Sequence, residues 1–251
     1  MGASMSIQST SLLIRNFNLS FIADSLEKSI EKAEKENWSY VNFLSYLFES
    51  EAHWRKNRKI ERLLKNSKLP EDKNLTTLNM DYLPADVRRK LSSLLEGNFV
   101  EKAMNVLTFG LPGRGKTHFL CAIGRELIMR YQYTVLFTPT FKIIQNLQFA
   151  KEKYELENAL KKLDSYDVII IDDIGYVQHS REEMEIFFTF LADRYERKSL
   201  MISSNLPFAK WENIFKDPMT AMAAVDRLVH HSIIVEFDND SIRSKQAAIK
   251  K

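Results

Sequence analysis

The chain has 251 residues, of which 45% are hydrophobic and 27% charged, and its formal net charge is +3. Ample apolar content with only seven glycines and six prolines excludes the disordered, collagen-like and low-complexity classes. No run approaches the roughly 20 apolar residues that span a bilayer, the start lacks a secretory signal pattern, and the single Cys121 cannot form an internal disulfide. We therefore expect a cytoplasmic protein without a membrane partner.

The first part of the chain has a helical pattern of apolar residues. Ile22, Leu26 and Ile30 recur at helical spacing, and Ser39 is suited to cap a second helix that follows it. No strong strand pattern accompanies them. We therefore predict that this part of the chain is all helical.

A change in composition predicts where this helical region ends. Residues 68–83 are polar and contain proline, asparagine and threonine, which is typical of a linker. We accordingly predict a helical DNA-binding and assembly domain at residues 1–70, a linker at 71–82 and a second domain at 83–251.

One run in the helical region concentrates positive charge. Between residues 52 and 68 seven lysines and arginines stand against a single acid, Glu61, in a chain whose total charge is only +3. Helical spacing places most of them on one face, which suits the phosphates of double-stranded DNA. The alternative is a basic face that is merely solvated. The DNA-binding residues that we predict are Arg55, Lys56, Arg58, Lys59, Arg62 and Lys65.

After the linker, apolar runs typical of strands alternate with helical runs. This alternation predicts an α/β fold with a parallel sheet that is covered by helices on both faces. The predicted helices lie at residues 117–131, 141–162 and 181–198. The predicted strands lie at residues 106–109, 134–138, 168–171, 200–203 and 233–237.

Three of the seven glycines fall within six residues, in a phosphate-binding motif. Residues 110–117 fit the Walker A pattern GxxxxGK[ST] and lie between a predicted strand and a predicted helix. Backbone N–H groups of such a loop and the first turn of the helix attract phosphate. We expect Lys116 to reach the β- and γ-phosphates of ATP and Thr117 to coordinate Mg²⁺. The predicted nucleotide-binding residues are Gly110, Leu111, Pro112, Gly113, Arg114, Gly115, Lys116, Thr117 and His118.

Two carboxylates follow the apolar run at residues 168–171, and they supply the acidic part of such a site. We expect Asp172 to hold Mg²⁺ together with Thr117, and Asp173 to orient or deprotonate the attacking water. Acids after an apolar strand are also ordinary solvated residues. The Walker A loop upstream favours the catalytic interpretation.

Two further polar residues are candidates for the same site. Asn205 follows a predicted strand and would contact the γ-phosphate or its water, although an asparagine before Leu206-Pro207 is equally a turn former. Arg227 would complete a neighbouring subunit's site as an arginine finger, or it forms an ordinary surface ion pair. We expect no metal site at the adjacent His230 and His231, because neighbouring residues of a helix or strand point apart.

Taken together, these residues resemble the IstB-type transposition helper ATPases, relatives of the DnaC helicase loaders and DnaA initiators within the AAA+ class. The likeness extends from about residue 18 onward and includes the basic helix. The strings that carry it are Gly113-Arg114-Gly115-Lys116-Thr117-His118, Ile171-Asp172-Asp173-Ile174-Gly175-Tyr176, Asp193-Arg194-Tyr195-Glu196-Arg197, Ser204-Asn205-Leu206-Pro207 and Asp226-Arg227-Leu228.

The resemblance implies a RecA-like AAA+ core that binds ATP between subunits and assembles into a homo-oligomeric ring or spiral on DNA. It places Asn205 at the sensor position and Arg227 at the arginine finger. It also implies a partner, a transposase encoded by the same mobile element. The protein helps this transposase to choose target DNA, and it stimulates insertion. Many members have Asp-Glu where this chain has Asp172-Asp173, so we predict weak basal ATP turnover that depends on DNA.

Three other functions remain open from the sequence. A DnaC-like replicative helicase loader would use the same chemistry with a helicase as its partner. A small-molecule P-loop kinase would need an arginine-rich lid over its substrate. It would have no use for a basic N-terminal helix. A DNA-binding module could keep its nucleotide site for a structural purpose alone.

Overall fold

The computed structural model describes residues 6–175, 180–206, 211, 228–239 and 241–242. The chain divides into two compact units, Met1–Arg62 and Leu63–Lys251. The predicted linker at residues 71–82 lies inside the second unit. The assignment of residues 1–70 to a DNA-binding and assembly domain stays a prediction.

The first unit is helical, as its apolar spacing predicted. It contains α1 (Ile7–Asn16), α2 (Ser20–Lys35) and most of α3 (Tyr40–Ser67). The hydroxyl of Ser39 accepts a hydrogen bond from Asn42 N at 3.3 Å, so this residue caps α3 as expected. The buried core is small and consists of Ile22, Leu26 and Leu47.

A buried carboxylate joins two helices of this unit. Glu51 is only 3% exposed, and its Oε2 accepts a hydrogen bond from the backbone N of Ile22 at 3.0 Å. Its Oε1 accepts from Nε of Arg55 at 2.8 Å, and Arg55 also donates to the carbonyl of Asn18. Arg55 therefore helps to hold the end of the loop before α2 against α3.

The second unit is built on a parallel sheet, which confirms the predicted α/β class. The described strands follow the order β2-β3-β4-β1-β5, and every neighbouring pair is parallel. The strands are β1 (Asn105–Phe109), β2 (Val135–Pro139), β3 (Val168–Ile174), β4 (Ser199–Ser204) and β5 (Ser232–Glu236). The helices are α4 (Ala85–Leu94), α5 (Asn98–Glu101), α6 (Lys116–Tyr131), α7 (Thr140–Glu152), α8 (Leu156–Asp164) and α9 (Arg181–Arg194), and a 3₁₀ turn spans Met80–Tyr82.

Helices pack on both faces of this sheet, because successive side chains of a buried strand point to opposite faces. Ile169 and Ile171 of β3 belong to one apolar core with residues of α7 and α9. Ile170 points the other way, toward α6, where a Cβ placed on Gly124 would lie 2.6 Å from its Cδ1. This glycine lets α6 approach the sheet closely.

Three of the predicted elements differ clearly in extent from the observed ones, and α4 and α5 have no predicted counterpart. The helix expected at residues 141–162 is two helices, because Tyr154 adopts a left-handed φ of +58° and α7 ends before it. Helix α9 ends at Arg194 and leaves a turn before β4. Strand β3 runs on to Ile174 and so includes both Asp172 and Asp173. Among the described helices, none is long and apolar enough to cross a membrane.

Candidate active site

A cavity of about 380 Å³ opens at the carboxyl end of the sheet. This edge is where ligands bind in open parallel α/β sheets, because the loops after the strands meet there. Two lysines and three aspartates bring both signs of charge to it. The lining residues are Asp72, Lys73, Pro112, Gly113, Gly115, Lys116, Thr117, His118, Asp172, Asp173, Ser203, Asn205 and Ile242.

The loop after β1 has backbone angles that favour glycine. Gly110, Gly113 and Gly115 adopt φ values of +147°, +82° and +100°. At Gly110 a Cβ would also lie 2.5 Å from the carbonyl oxygen of Phe237, so no other residue fits there. The loop leads directly into α6, whose first N–H groups have no partner within the helix and can bind a phosphate.

Lys116 is the first residue of α6, and its side chain folds back over the loop. It is only 6% exposed. Its Nζ donates hydrogen bonds to the carbonyl of Gly110 at 2.6 Å, to that of Leu111 at 3.0 Å and to Oδ1 of Asn205 at 2.7 Å. The structure therefore brings the predicted lysine and the predicted asparagine into direct contact.

Thr117 and Asp172, the two residues predicted to hold Mg²⁺, also contact each other. The Thr117 hydroxyl donates to Oδ1 of Asp172 at 2.8 Å. Ser203 of β4 donates to the same carboxylate oxygen at 2.6 Å, and its hydroxyl accepts from the backbone N of Asp173 at 2.8 Å. Hydroxyl and carboxylate oxygens are the ligands that Mg²⁺ prefers, so this group fits the predicted cation.

Asp173 lies at an irregular point of β3. Its φ is +65°, and the pairing of β3 with β4 shifts register between Ile171 and Ile174. The irregularity lets consecutive carboxylates reach the same cavity, although a regular strand would send them to opposite faces. The Asp173 carboxylate accepts a hydrogen bond from Nδ2 of Asn205.

The sequence did not identify the part of this site that comes from residues 70–78. Nε2 of His118 lies 3.0 Å from the carbonyl oxygen of Asn74 and 3.1 Å from the hydroxyl oxygen of Thr77. Seven residues further along α6, Arg125 donates to the carbonyl of Pro70 at 3.2 Å. These contacts hold Asp72 and Lys73 at the cavity. His118 is thus turned toward this segment.

The residues that follow β5 also contact the glycine loop. Arg114 donates to the carbonyl of Phe237 at 2.6 Å, which gives the arginine of the loop a contact within the protein. The backbone N of Ile242 donates to the carbonyl of Gly113 at 3.0 Å, and Nδ2 of Asn239 donates to the carbonyl of Arg114 at 3.3 Å. The loop is therefore supported by a segment more than 120 residues away in the chain.

Behind the site, two buried groups have displaced pKa values. Burial raises the pKa of the Cys121 thiol to about 12, so this cysteine is a neutral core residue. Burial also lowers the pKa of Arg194 to about 10, which leaves it a cation at neutral pH. Arg194 donates to the carbonyls of Leu163 at 2.9 Å and Tyr166 at 3.0 Å, so it fastens the end of α9 to the end of α8.

The predicted DNA-binding residues all lie on α3 with exposed side chains. Two of them have contacts inside the protein: Arg55 with Glu51, and Arg58 over the ring of Trp54 at 5.6 Å. Their contact with DNA stays a prediction. Arg227 lies outside the described residues, so its role as an arginine finger stays a prediction as well.

A family model of IstB-like ATP-binding proteins matches residues 13–249 of the chain. An insertion sequence ATP-binding protein of Sinorhizobium fredii is 38% identical over 237 residues, which are 94% of this chain and 79% of that protein. The ATP-binding protein of insertion sequence IS21 from Pseudomonas aeruginosa is 34% identical, over 94% of this chain and 88% of its own length. These matches agree with the resemblance that the motifs carry.

Solved structures show the same fold at low sequence identity. DnaA from Aquifex aeolicus with bound AMPPCP is 20% identical, with a TM-score of 0.58 over 73% of this chain and 55% of that one. A DnaC helicase loader is 16% identical, with a TM-score of 0.55 over 67% of this chain and 98% of that one. The predicted AAA+ P-loop fold is thereby confirmed.

Proposed function

The chain belongs to the family of IstB-like ATP-binding proteins, and we propose that it is an oligomeric, DNA-binding ATPase that assists a separate transposase in DNA transposition. ATP binding and the ATPase class follow from the family and from the AAA+ fold. The selection of target DNA and the stimulation of insertion are the finer parts of the proposal. The observation that carries the catalytic part is the convergence on one cavity of Lys116, Thr117, Asp172, Asp173 and Asn205.

The phosphates of ATP fit the glycine loop and the first turn of α6. Lys116 would exchange its contact with Asn205 for an oxygen of the γ-phosphate while it keeps the loop carbonyls as partners. Thr117 and Asp172 would hold Mg²⁺, which neutralises phosphate charge when it is bound. Ser203 keeps the Asp172 carboxylate in place from β4.

Hydrolysis needs a water molecule to attack the γ-phosphorus while the bond to the β-phosphate oxygen breaks. Asp173 would accept the proton that this water loses, because its carboxylate lines the same cavity. Asn205 donates to Asp173 and so orients this carboxylate. The shorter reach of aspartate compared with glutamate supports the expectation of weak turnover by the protein alone.

The DNA-binding part rests on the exposed cations of α3. Lys56, Lys59 and Arg62 are exposed and, within the described part of the chain, take part in no ion pair. Such cations release counterions from DNA when they contact its phosphates, and this makes binding depend strongly on salt. Double-stranded DNA is therefore the partner that we propose for this helix.

The relatives favour a transposase over a replicative helicase as the protein partner. The similar proteins at 38% and 34% identity are named as ATP-binding proteins of insertion sequences. The DnaA and DnaC structures are less than 25% identical to this chain in sequence, so they indicate only its fold. We therefore propose the transposase of the same mobile element as the partner.

The proposal is tested by ATP turnover at low salt with and without duplex DNA, and by strand transfer with the transposase of the same element. We expect DNA to stimulate turnover, and we expect Lys116→Ala to remove both ATP binding and the stimulation of strand transfer. The exposed Lys151→Ala on α7 is the matched control and should behave as the native protein. If the rate of ATP turnover is unchanged by DNA but is raised by a replicative helicase, the helicase-loader alternative is supported instead.

Assembly into a ring or spiral, with Arg227 acting on the ATP of a neighbouring subunit, is tested by mixing two inactive variants. Lys116→Ala and Arg227→Ala proteins should regain turnover together, because some interfaces then combine an intact loop with an intact arginine. If mixed oligomers form without recovery of activity, Arg227 is not the arginine finger.

A further inference from the structure

Three metal-ligating side chains lie together at the end of the sheet opposite the cavity. Glu196 is in the turn between α9 and β4, and His230 and His231 directly precede β5. One ligand atom from each lies within 4.8 Å of the other two. The two imidazole rings have planes 21° apart and centroids 6.4 Å apart. The expectation that adjacent histidines point apart is therefore wrong at this place.

A buried asparagine fixes both chain segments that carry this group. Asn105, at the start of β1, is 5% exposed. Its Oδ1 accepts from the backbone N of Leu200 at 2.9 Å, and its Nδ2 donates to the carbonyl of Leu228 at 3.4 Å. Its own backbone N donates to the carbonyl of His231 at 2.7 Å. The start of β4 and the residues before β5 are thus held against the same strand.

The backbone of Glu196 brings its side chain to the histidines. Its φ is +55°, in the left-handed region, and it is the second residue after the end of α9. Arg194 anchors this end of the helix from within the core, so the turn begins from a fixed point. The carboxylate therefore comes from a defined turn, and its side chain is exposed.

The donor set is that of a transition metal. Two imidazole nitrogens and one carboxylate oxygen suit Zn²⁺, whereas Mg²⁺ and Ca²⁺ prefer oxygen ligands. Zinc binds these atoms at about 2.0–2.2 Å, so the donors must approach to about 3.4 Å of one another, which needs side-chain movements of about 1 Å. Glu196 and His230 are exposed and can make them.

We propose that Glu196, His230 and His231 bind one divalent transition metal ion, with Zn²⁺ the best-suited ion and water as the fourth ligand. The ion joins the turn after α9 to the start of β5. Its donor set differs from that of Thr117 and Asp172, so the two sites select different cations. The proposal stands independently of the function in transposition.

The test uses the full chain without a polyhistidine tag, cleared of metal by a chelator and then titrated with Zn²⁺ or Co²⁺. We expect one ion per chain by calorimetry, and visible absorption bands of tetrahedral Co²⁺ that excess Zn²⁺ removes. A free Zn²⁺ concentration a hundredfold above Kd should raise Tm by about 5 °C or more, because the ion binds only the folded chain.

Variants of the three proposed ligands test where the ion binds. Glu196→Gln and His230→Ala should each weaken binding at least about tenfold, as loss of one ligand or its support does. The double variant His230→Ala/His231→Ala should lose the Co²⁺ bands. His53→Ala, an exposed histidine of the first unit, is the matched control and should bind as the native chain does. Because Glu196 is exposed, its variant should fold even if the double variant does not.

Two results would overturn the assignment. The first is that the native chain binds no Zn²⁺ or Co²⁺ at 100-fold molar excess. The second is that Glu196→Gln and the folded double variant keep the affinity and the spectrum of the native chain.

Discussion

Oδ1 of Asn205 accepts a hydrogen bond from Nζ of Lys116 at 2.7 Å, although 89 residues separate the two in the chain. The amide nitrogen of the same side chain donates to Asp173. One asparagine at the end of β4 therefore contacts both the residue proposed to bind the γ-phosphate and the residue proposed to accept a proton from water. If Lys116 moves toward phosphate, Asn205 loses this partner. The hydrogen bond from Asn205 to Asp173 is then affected as well.

Asn205→Ala should reduce kcat for ATP hydrolysis about 10–100-fold, because it removes a donor that orients Asp173. We expect KM for ATP to change much less, since the glycine loop and Lys116 are intact. Steady-state kinetics with saturating DNA measures both constants. Asn205→Asp, which is nearly isosteric but adds a negative charge beside Asp173, should be at least as slow. An unchanged kcat in both variants would remove Asn205 from the mechanism.

His118→Ala should weaken ATP binding about fivefold, because residues 70–78 lose the hydrogen bond of Nε2 of His118, which contributes about 1 kcal/mol. The measurements are Kd for ATP and amide hydrogen exchange of residues 70–78, which should become faster. His118→Gln keeps a donor of similar reach and serves as the control with partial rescue. If Kd rises while exchange stays slow, His118 acts on the nucleotide directly.

The combined variant Arg58→Ala/Lys59→Ala/Arg62→Ala should bind duplex DNA more weakly and with a flatter dependence on salt. If all three cations contact phosphate, the slope of log K against log salt should fall by about 2–3, since each contact contributes about 0.9. A matched control, Lys28→Ala/Lys35→Ala/Lys151→Ala, removes the same charge from exposed positions elsewhere. Equal losses in the two variants would point to net charge alone and against an interface on α3.

Asp167 should make the folded state sensitive to acid. Partial burial alone would raise the pKa of this carboxyl, but hydrogen bonds from Lys198 and Thr134 outweigh it and hold the pKa below its ordinary 3.8. Because the folded pKa is the lower one, the stabilisation is complete above the ordinary pKa and is lost as the pH falls through the folded value. Urea unfolding of Asp167→Asn should therefore depend less on pH below about pH 4 than that of the native chain.

The control for this prediction is Asp81→Asn, at an exposed position. Its free energy of unfolding should follow the same dependence on pH as that of the native chain. Identical pH dependence in the native chain and in Asp167→Asn would show that the contacts with Lys198 and Thr134 do not stabilise the fold.

The nucleotide loop could be predicted from the sequence because its chemistry depends on spacing within eight residues. The five strands could be predicted because each contains a short continuous run of mostly apolar residues, as strands of parallel sheets do. Ser203 could not be found in this way, since a serine inside a strand has no periodic signature and acts through Asp172 of another strand. Residues 70–78 have the composition of a linker, and only their contacts with His118 and Arg125 reveal that they belong to the site.

Two of the differences from the sequence prediction have separate causes. Helix α7 ends because Tyr154 takes a left-handed backbone conformation, which tyrosine has no intrinsic tendency to adopt. The adjacent histidines lie side by side because they come at the junction of a helical turn and β5, where neither the helical nor the strand rule for side-chain direction applies. Local hydrogen bonds close the end of α7, including one from the backbone N of Glu155 to the carbonyl of Ala150 at 2.8 Å, whereas the histidine segment is held by the distant Asn105.

The contacts of Phe237, Asn239 and Ile242 with the glycine loop mean that the phosphate site is not a portable unit. A peptide of residues 105–131 contains the complete motif but lacks the groups of Phe237, Asn239 and Ile242 that form hydrogen bonds with Gly113 and Arg114. Grafted onto another parallel sheet, this strand, loop and helix would need a substitute for that support. Substitutions after β5 can therefore alter nucleotide affinity without touching a single residue of the motif.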